Sequence, residues 1–139
     1  MTLNPPLTRM EELLLMAAAV HGLGPDTNLH HANAAKVVGQ ALEWSGLMDE
    51  IVRHQWNDFE SHPAIDAYYG SLIRMIRQIL PNEVLPPLRP GEALFEGGGN
   101  FGTPDDPPAY AHFTSCRLTV FGDSIARGLL EQFATQEPR

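Results

Sequence analysis

Three ionisable side chains stand four residues apart at Glu50, His54 and Asp58. On an α-helix this spacing places them on one face, where an imidazole and carboxylates could hold a metal or exchange protons. The helix predicted over about residues 47–60 carries its apolar stripe on the opposite face. We therefore favour a solvent-exposed row of i,i+4 pairs, and a metal site that includes His54 and Asp58 is the alternative.

Three further histidines flank a predicted turn. His21 ends the first predicted helix, and His30 and His31 open the second. A hairpin through the intervening glycines and proline would bring them together, and two or three imidazoles with a carboxylate bind zinc, copper or non-haem iron. The spacing matches no standard metal signature, and a histidine near a helix end also interacts with the last carbonyls. We expect no cofactor, and a divalent metal held by these histidines is the second hypothesis.

A third motif, Phe-Gly-Asp-Ser-Ile, spans residues 121–125. It resembles the first sequence block of the GDSL-type (SGNH) hydrolases, which implies an esterase with Ser124 as its nucleophile. In that family an oxyanion-hole glycine and asparagine and then an Asp-x-x-His follow downstream. Here 15 residues follow Ser124, and none of them is histidine. We favour the other interpretation, in which Asp123 and Ser124 cap a helix.

Composition limits the classes of function. The net charge of −8, from 17 acidic and 9 basic residues, argues against binding to a nucleic-acid backbone, which requires clustered basic residues. The lone cysteine, Cys116, excludes an intramolecular disulfide and a cysteine-based zinc site, and we expect it to be a buried apolar residue. No apolar run approaches the roughly 20 residues that span a bilayer, and the N-terminus lacks a basic region. These features predict a cytoplasmic protein without a membrane segment.

Helix signals dominate residues 1–80. Thr8 and Glu11 form a capping box that predicts a first helix ending near Gly22. A second helix is predicted from about Leu29, capped within residues 26–28, to a stop at residues 45–46. Pro63 suits the first turn of a last and very apolar helix, predicted to run through residue 80.

Residues 81–113 differ, because they hold seven of the 12 prolines and five of the 12 glycines without apolar periodicity. They predict an irregular arm with a hinge at glycines 97–99 and with Leu94, Phe95 and Phe101 as apolar anchors. The segment 114–136 fits either one helix or a strand followed by a helix. We favour helix for 114–122, because no second strand is evident to pair with it.

The sequence as a whole predicts a mostly α fold: one helical domain over residues 1–139, with four or five helices in a small bundle. Its core comprises about residues 8–80 and 114–136, and the arm precedes the C-terminal element. We favour a non-catalytic protein–protein interaction module, such as an adaptor, inhibitor, immunity or accessory protein. The partner would contact the arm anchors or the face of the 63–80 helix that contains Tyr69, Ile73 and Ile76, a face that would also suit a homodimer.

Overall fold

The computed structural model describes residues 3, 5–29, 33–47, 49, 63–98 and 115–136. Four helices and one four-stranded sheet form in this part of the chain. The helices are α1 (Arg9–Val20), α2 (Ala34–Ser45), α3 (Pro63–Met75) and α4 (Val120–Gln136), and the strands are β1 (Ile76–Ile79), β2 (Val84–Leu85), β3 (Phe95–Gly98) and β4 (Ser115–Leu118).

The prediction of a mostly α, all-helical bundle is therefore wrong. The described residues are 54% helical and 14% strand, and the strands form one mixed sheet. The helix predicted from Pro63 to residue 80 ends at Met75, and Ile76–Ile79 continues as β1. The four residues Ile-Arg-Gln-Ile fit either conformation, and β1 forms because β2 and β3 from the predicted arm pair with both of its edges. The arm is thus partly sheet.

The strand order is β2-β1-β3-β4. The outer pairs are antiparallel, and the central pair β1–β3 is parallel. Ile76, Phe95 and Leu118 are neighbours in one row across three strands, and each is at most 2% exposed. This row joins the sheet to the hydrophobic core that the helices share.

Local signals predict several helix ends correctly. Thr8 and Glu11 form the predicted capping box, since each side chain accepts a hydrogen bond from the other residue's backbone N–H. Gly22 and Gly46 have the positive φ angles of left-handed helix stops. The predicted start of the second helix, near Leu29, is wrong, because α2 begins at Ala34 with Asn33 before it. Nearly all of the helix predicted over 47–60 lies outside the described residues.

The prediction of helix for 114–122 is also wrong. Ser115–Leu118 is strand β4, and its partner is β3, which lies within the predicted arm. Thr119 then caps α4: its Oγ1 accepts a hydrogen bond from the Gly122 N–H (2.9 Å) and donates to the Ala93 carbonyl (2.7 Å). The cap is therefore Thr119 and not Asp123 or Ser124. Strand followed by helix, the alternative interpretation, matches the structure.

Helix α1 packs against the other three helices and against β4. Its apolar side chains are buried nearly all round, and Leu14, Leu15, Ala17 and Ala18 are completely inaccessible. A helix buried in this way lies at the centre of a core. None of the helices in the described part of the chain combines the length and the apolar character that crossing a bilayer requires.

Candidate interaction surface

The segment after β1 turns back sharply and forms the outer strand of the sheet. The Leu80 N–H donates to the Glu83 carbonyl (2.9 Å), which closes the turn, and Val84 then pairs with Ile79. Two prolines follow β2 directly at positions 86 and 87. Because proline has no N–H, the strand ends there.

Arg89 fixes the far end of this segment to the body of the protein. Its Nε donates to Oε2 of Glu11 at 3.0 Å, and its guanidinium also donates to the Pro5 carbonyl. The Arg89 N–H donates to the Arg74 carbonyl at 2.9 Å. The side chains of Arg89 and Glu11 are only 6% and 7% exposed, so this is a buried ion pair. The pair fixes the segment after β2 against α1, although Arg89 and Glu11 are far apart in the sequence.

Between these two fixed points, three large apolar side chains face solvent. Val84 is 54% exposed, Leu85 37% and Leu88 61%. Pro86 is exposed beside them, and Pro87 is partly buried. A cluster of exposed apolar groups of this kind is typical of a surface that binds another protein. We call residues 84–88 the β2 strip.

The opposite edge of the sheet is covered within the chain. The Cys116 N–H donates to Oδ1 of Asn33 (2.7 Å), and the Leu118 N–H donates to the Leu23 carbonyl (2.9 Å). These bonds occupy backbone groups of β4 that would otherwise be available to a further strand. Among the described strands, β2 therefore forms the exposed apolar edge.

A row of charges crosses the outer face of the sheet. Glu96 lies between Arg77 and Arg117 on neighbouring strands and pairs with both; its Oε1 is 3.0 Å from Arg117 Nε. Burial alone would raise the pKa of Glu96, but the hydrogen bonds and charges of the two arginines outweigh it and lower the pKa below its ordinary value. Arg117 also donates to the Thr27 carbonyl at 2.9 Å. The row of charges therefore links β1, β3 and β4 to the loop that contains Thr27.

A cavity of about 360 Å³ lies beside this row and reaches the first turn of α4. Arg77, Glu92 and Glu96 contribute charges to its wall, and Thr119 lines it as well. Three of these polar groups already have partners within the chain, since Glu96 pairs with Arg77 and Thr119 caps α4. We assign this cavity no chemistry.

The predicted interaction residues lie mostly in the core. Tyr69 is 9% exposed, Ile73 and Ile76 are each 2% exposed, Leu94 is 1% exposed, and Phe95 is completely buried. Phe101 lies outside the described residues. The sequence reasoning missed Val84, Leu85 and Leu88. The signal available for them was that the strip joins apolar residues to prolines, which fits an edge strand better than an interior one.

Of the five predicted metal ligands, one lies in the described part of the chain. His21 lies at the C-terminal cap of α1, and its Nε2 is 3.2 Å from Oε1 of Gln40 at the surface. His30, His31, His54 and Asp58 lie outside the described residues. In the described part of the chain, no three histidine, cysteine, aspartate or glutamate side chains come together as metal ligands. The metal site stays a prediction.

Ser124 of the hydrolase-like motif lies on α4, in a groove of about 450 Å³ between this helix and the start of the chain. Apolar residues such as Leu7 and Leu129 form much of the wall, together with Glu12. The neighbouring Gly122 has a packing role, because a Cβ atom there would lie 1.9 Å from the Leu94 carbonyl oxygen. Asp123 pairs with Arg127 at 2.9 Å. The described contacts of this motif are therefore structural.

Cys116 is buried as expected. Its side chain is completely inaccessible, and burial raises the pKa of its thiol to about 12. A thiol with so high a pKa is protonated at neutral pH and is a poor nucleophile.

Comparison with known proteins gives a partial similarity. The chain is 34% identical over 116 residues to the chloroplastic/mitochondrial DNA gyrase A protein of Nicotiana benthamiana. It is 32% identical over 116 residues to the protein of the same name from Arabidopsis thaliana. Each match covers 82% of this chain and 10% of the relative, so the chain spans about a tenth of the length of the curated relatives it matches. No family model and no solved structure matches the chain.

Proposed function

We propose that this chain is a non-catalytic protein–protein interaction module, an adaptor or accessory protein, that binds one of the subunits of a gyrase-like enzyme. The β2 strip carries the proposal. Val84 and Leu88 are more than half exposed, on a backbone that the buried Arg89–Glu11 pair holds in place. Large apolar side chains on a fixed backbone bind a partner with little loss of conformational entropy.

The roles of the other reactive groups support a non-catalytic function. Thr119 caps α4, Glu96 bridges two arginines, and the Cys116 thiol is buried. Thr119 and Glu96 stabilise the fold through partners within the chain, and the Cys116 thiol is inaccessible to a substrate. These structural roles in the described part of the chain support the non-catalytic proposal.

The similarity to the DNA gyrase A protein supports the choice of partner. It extends over 82% of the chain, which includes most of the fold described above. The relatives are named as subunits, which indicates proteins that assemble with others, and we extend that property to this chain. The net charge of −8 supports contact with protein surfaces over contact with the phosphate backbone.

The test is binding of the full chain to the purified gyrase subunits of its own organism, measured by sedimentation velocity. We expect a complex with at least one of them. The double variant Val84→Ser/Leu88→Ser should weaken it about tenfold or more, because buried apolar anchors dominate interface energies. Val120→Ser is the matched control, since Val120 is 76% exposed on α4. Absence of a complex, or equal binding by both variants, would contradict the proposal.

Direct contact with DNA is the second candidate, and the name of the relatives favours it. Fluorescence anisotropy with a short duplex separates the two. Backbone binding weakens by orders of magnitude when salt rises from about 50 to about 200 mM, whereas an apolar protein interface does not. Salt-sensitive duplex binding without a protein complex would replace the first proposal with this one.

The remaining expectations from the sequence belong to the same proposal. We expect the protein to work in the cytoplasm and without a cofactor, and a homodimer would appear as a second species in the same sedimentation experiment. The alternative, a divalent metal held by the histidines, predicts bound metal in the purified protein that is lost in His30→Ala/His31→Ala. Unchanged metal content in that variant would remove the alternative.

A further inference from the structure

We infer that the groove between α4 and the start of the chain binds a small amphiphile, a molecule with an aliphatic body and a cationic end. This inference is independent of the proposed function, because none of the residues that line the groove belongs to the β2 strip. It follows from the size of the groove, from the row of residues on its α4 side and from the charge of its wall.

The groove has the size and the composition of a small-molecule site. Its volume is about 450 Å³, and ligand sites commonly measure about 300–1,000 Å³ with mostly apolar walls. Four large aliphatic side chains line it, and each is only partly buried in the protein: Leu3, Leu7, Ile125 and Leu129. These side chains therefore keep apolar surface that an aliphatic ligand would remove from water, which is favourable.

The α4 side of the groove is a row of residues over two helical turns. The row begins at Ser124 and ends at Gln132, so at a rise of about 1.5 Å per residue it is about 12 Å long. Ile125 and Leu129 lie between these polar ends. Gly128 lies there as well, and nothing is within 4 Å of the position that its Cβ atom would take. An apolar row with an open centre suits an unbranched aliphatic chain of about this length.

The charge of the wall indicates which end group the ligand carries. Among the described residues that line the groove, Glu12 is the one with a charge. Arg9 contacts its Oε1 at 3.2 Å, but the Arg9 side chain is 63% exposed, and exposed pairs of this kind are weak. A carboxylate has two oxygens that accept hydrogen bonds, so Glu12 can also bind a second cation. An ammonium group on the ligand is therefore complementary to this wall, whereas a carboxylate on the ligand would be repelled.

The test is NMR titration of the full ¹⁵N-labelled chain with n-octylammonium at neutral pH and low ionic strength. Two matched probes accompany it: octanoate, which has the same chain length and the opposite charge, and n-butylammonium, which has the same charge and a shorter chain. We expect saturable shifts at the residues of the groove, and binding of octylammonium about fivefold tighter than binding of octanoate. Butylammonium should bind about tenfold or more weakly than octylammonium, because each buried methylene raises the affinity about fourfold.

Two variants separate the apolar and the charged part of the site. Gly128→Leu places a side chain in the open centre of the groove, and leucine favours helix over glycine, so we expect a folded protein that binds octylammonium about tenfold or more weakly. Glu12→Gln should abolish the preference for octylammonium over octanoate. Glu92→Gln is its matched control, because it removes the same charge at an exposed position outside the groove, and it should retain the preference.

Any of three results would overturn the inference: no saturable binding of octylammonium, native affinity in Gly128→Leu, or a preference for octylammonium that persists in Glu12→Gln. An equal loss of preference in Glu12→Gln and Glu92→Gln would also overturn it, because the net charge of the protein and not the groove would then attract the probe. The proposed function is tested separately, since the complex with a gyrase subunit depends on the β2 strip and is measured by sedimentation.

Discussion

At the scale of single residues, the Gly122 position shows how closely two backbone segments pack. The Leu94 carbonyl oxygen would lie 1.9 Å from a Cβ atom at this position and its carbon 2.8 Å from it. The same carbonyl accepts a hydrogen bond from the Thr119 N–H at 3.2 Å, so it cannot move away freely. The glycine of the hydrolase-like motif is thus explained by the junction between the strand segment before β3 and the first turn of α4.

We predict that Gly122→Ala destabilises the protein by about 1–3 kcal/mol or more, because the added methyl group overpacks a backbone contact. Gly128→Ala is the matched control on the same helix, since nothing lies within 4 Å of its Cβ position. The control should gain up to about 1 kcal/mol from higher helix propensity. Urea unfolding of both variants measures the difference, and equal stabilities would refute the close approach.

The buried pair of Arg89 and Glu11 leads to a second residue-scale prediction. Arg89→Met leaves the Glu11 carboxylate buried without its partner, and such changes cost about 3–5 kcal/mol. Arg9→Met removes a comparable pair with Glu12, but there the arginine is 63% exposed. Exposed pairs contribute about 0–1 kcal/mol. Chemical denaturation should therefore show that Arg89→Met lowers the free energy of unfolding several times more than Arg9→Met does. Similar losses in the two variants would show that burial of the ion pair does not matter here.

At the scale of elements, the charged row across β1, β3 and β4 makes part of the stability depend on pH. The pKa of Glu96 in the folded protein lies below its ordinary value of 4.5. Its contribution is therefore fully present above that value and is lost as the pH falls through the lowered pKa.

We predict that Glu96→Gln loses this component, so that its free energy of unfolding falls less steeply than that of the native protein as the pH decreases below 4.5. Glu92→Gln, which replaces an exposed carboxylate on the same segment, is the matched control. Urea unfolding across the acidic range measures both curves. Parallel curves for the native protein and Glu96→Gln would contradict the assignment.

The helices and the strands differ in how well the sequence predicts them. Thr8, Glu11, Gly22, Gly46 and Pro63 act through their nearest neighbours, so helix ends at these positions are predicted correctly. β1 depends on partners that follow it in the sequence, in a segment whose prolines and glycines hide two short strands. The exposed surface was missed for the same reason, because Val84 and Leu85 become an edge strand only once β1 exists.

At the scale of the whole molecule, the segment predicted to be an irregular arm joins the core. Leu94 and Phe95 are buried with the helices, Arg89 is paired with α1, and β3 lies between β1 and β4. Helices α1 and α4 contact β4, and the hydrophobic core includes residues of all four described helices and of β1, β3 and β4. We therefore expect the sheet to open only when the whole domain unfolds.

Cys116 provides the test, because it is the only cysteine in the chain and lies buried in β4 opposite Gly97. If the sheet opens only in global unfolding, the free energy of opening measured by native-state thiol labelling equals the free energy of unfolding measured with urea. The variant Val120→Cys/Cys116→Ser, with its thiol at a 76% exposed position, should react without any opening. Labelling of native Cys116 faster than global unfolding allows would show that the sheet opens locally, as the hinge predicted at glycines 97–99 requires. Equality would show that the strands from the predicted arm unfold together with the helices.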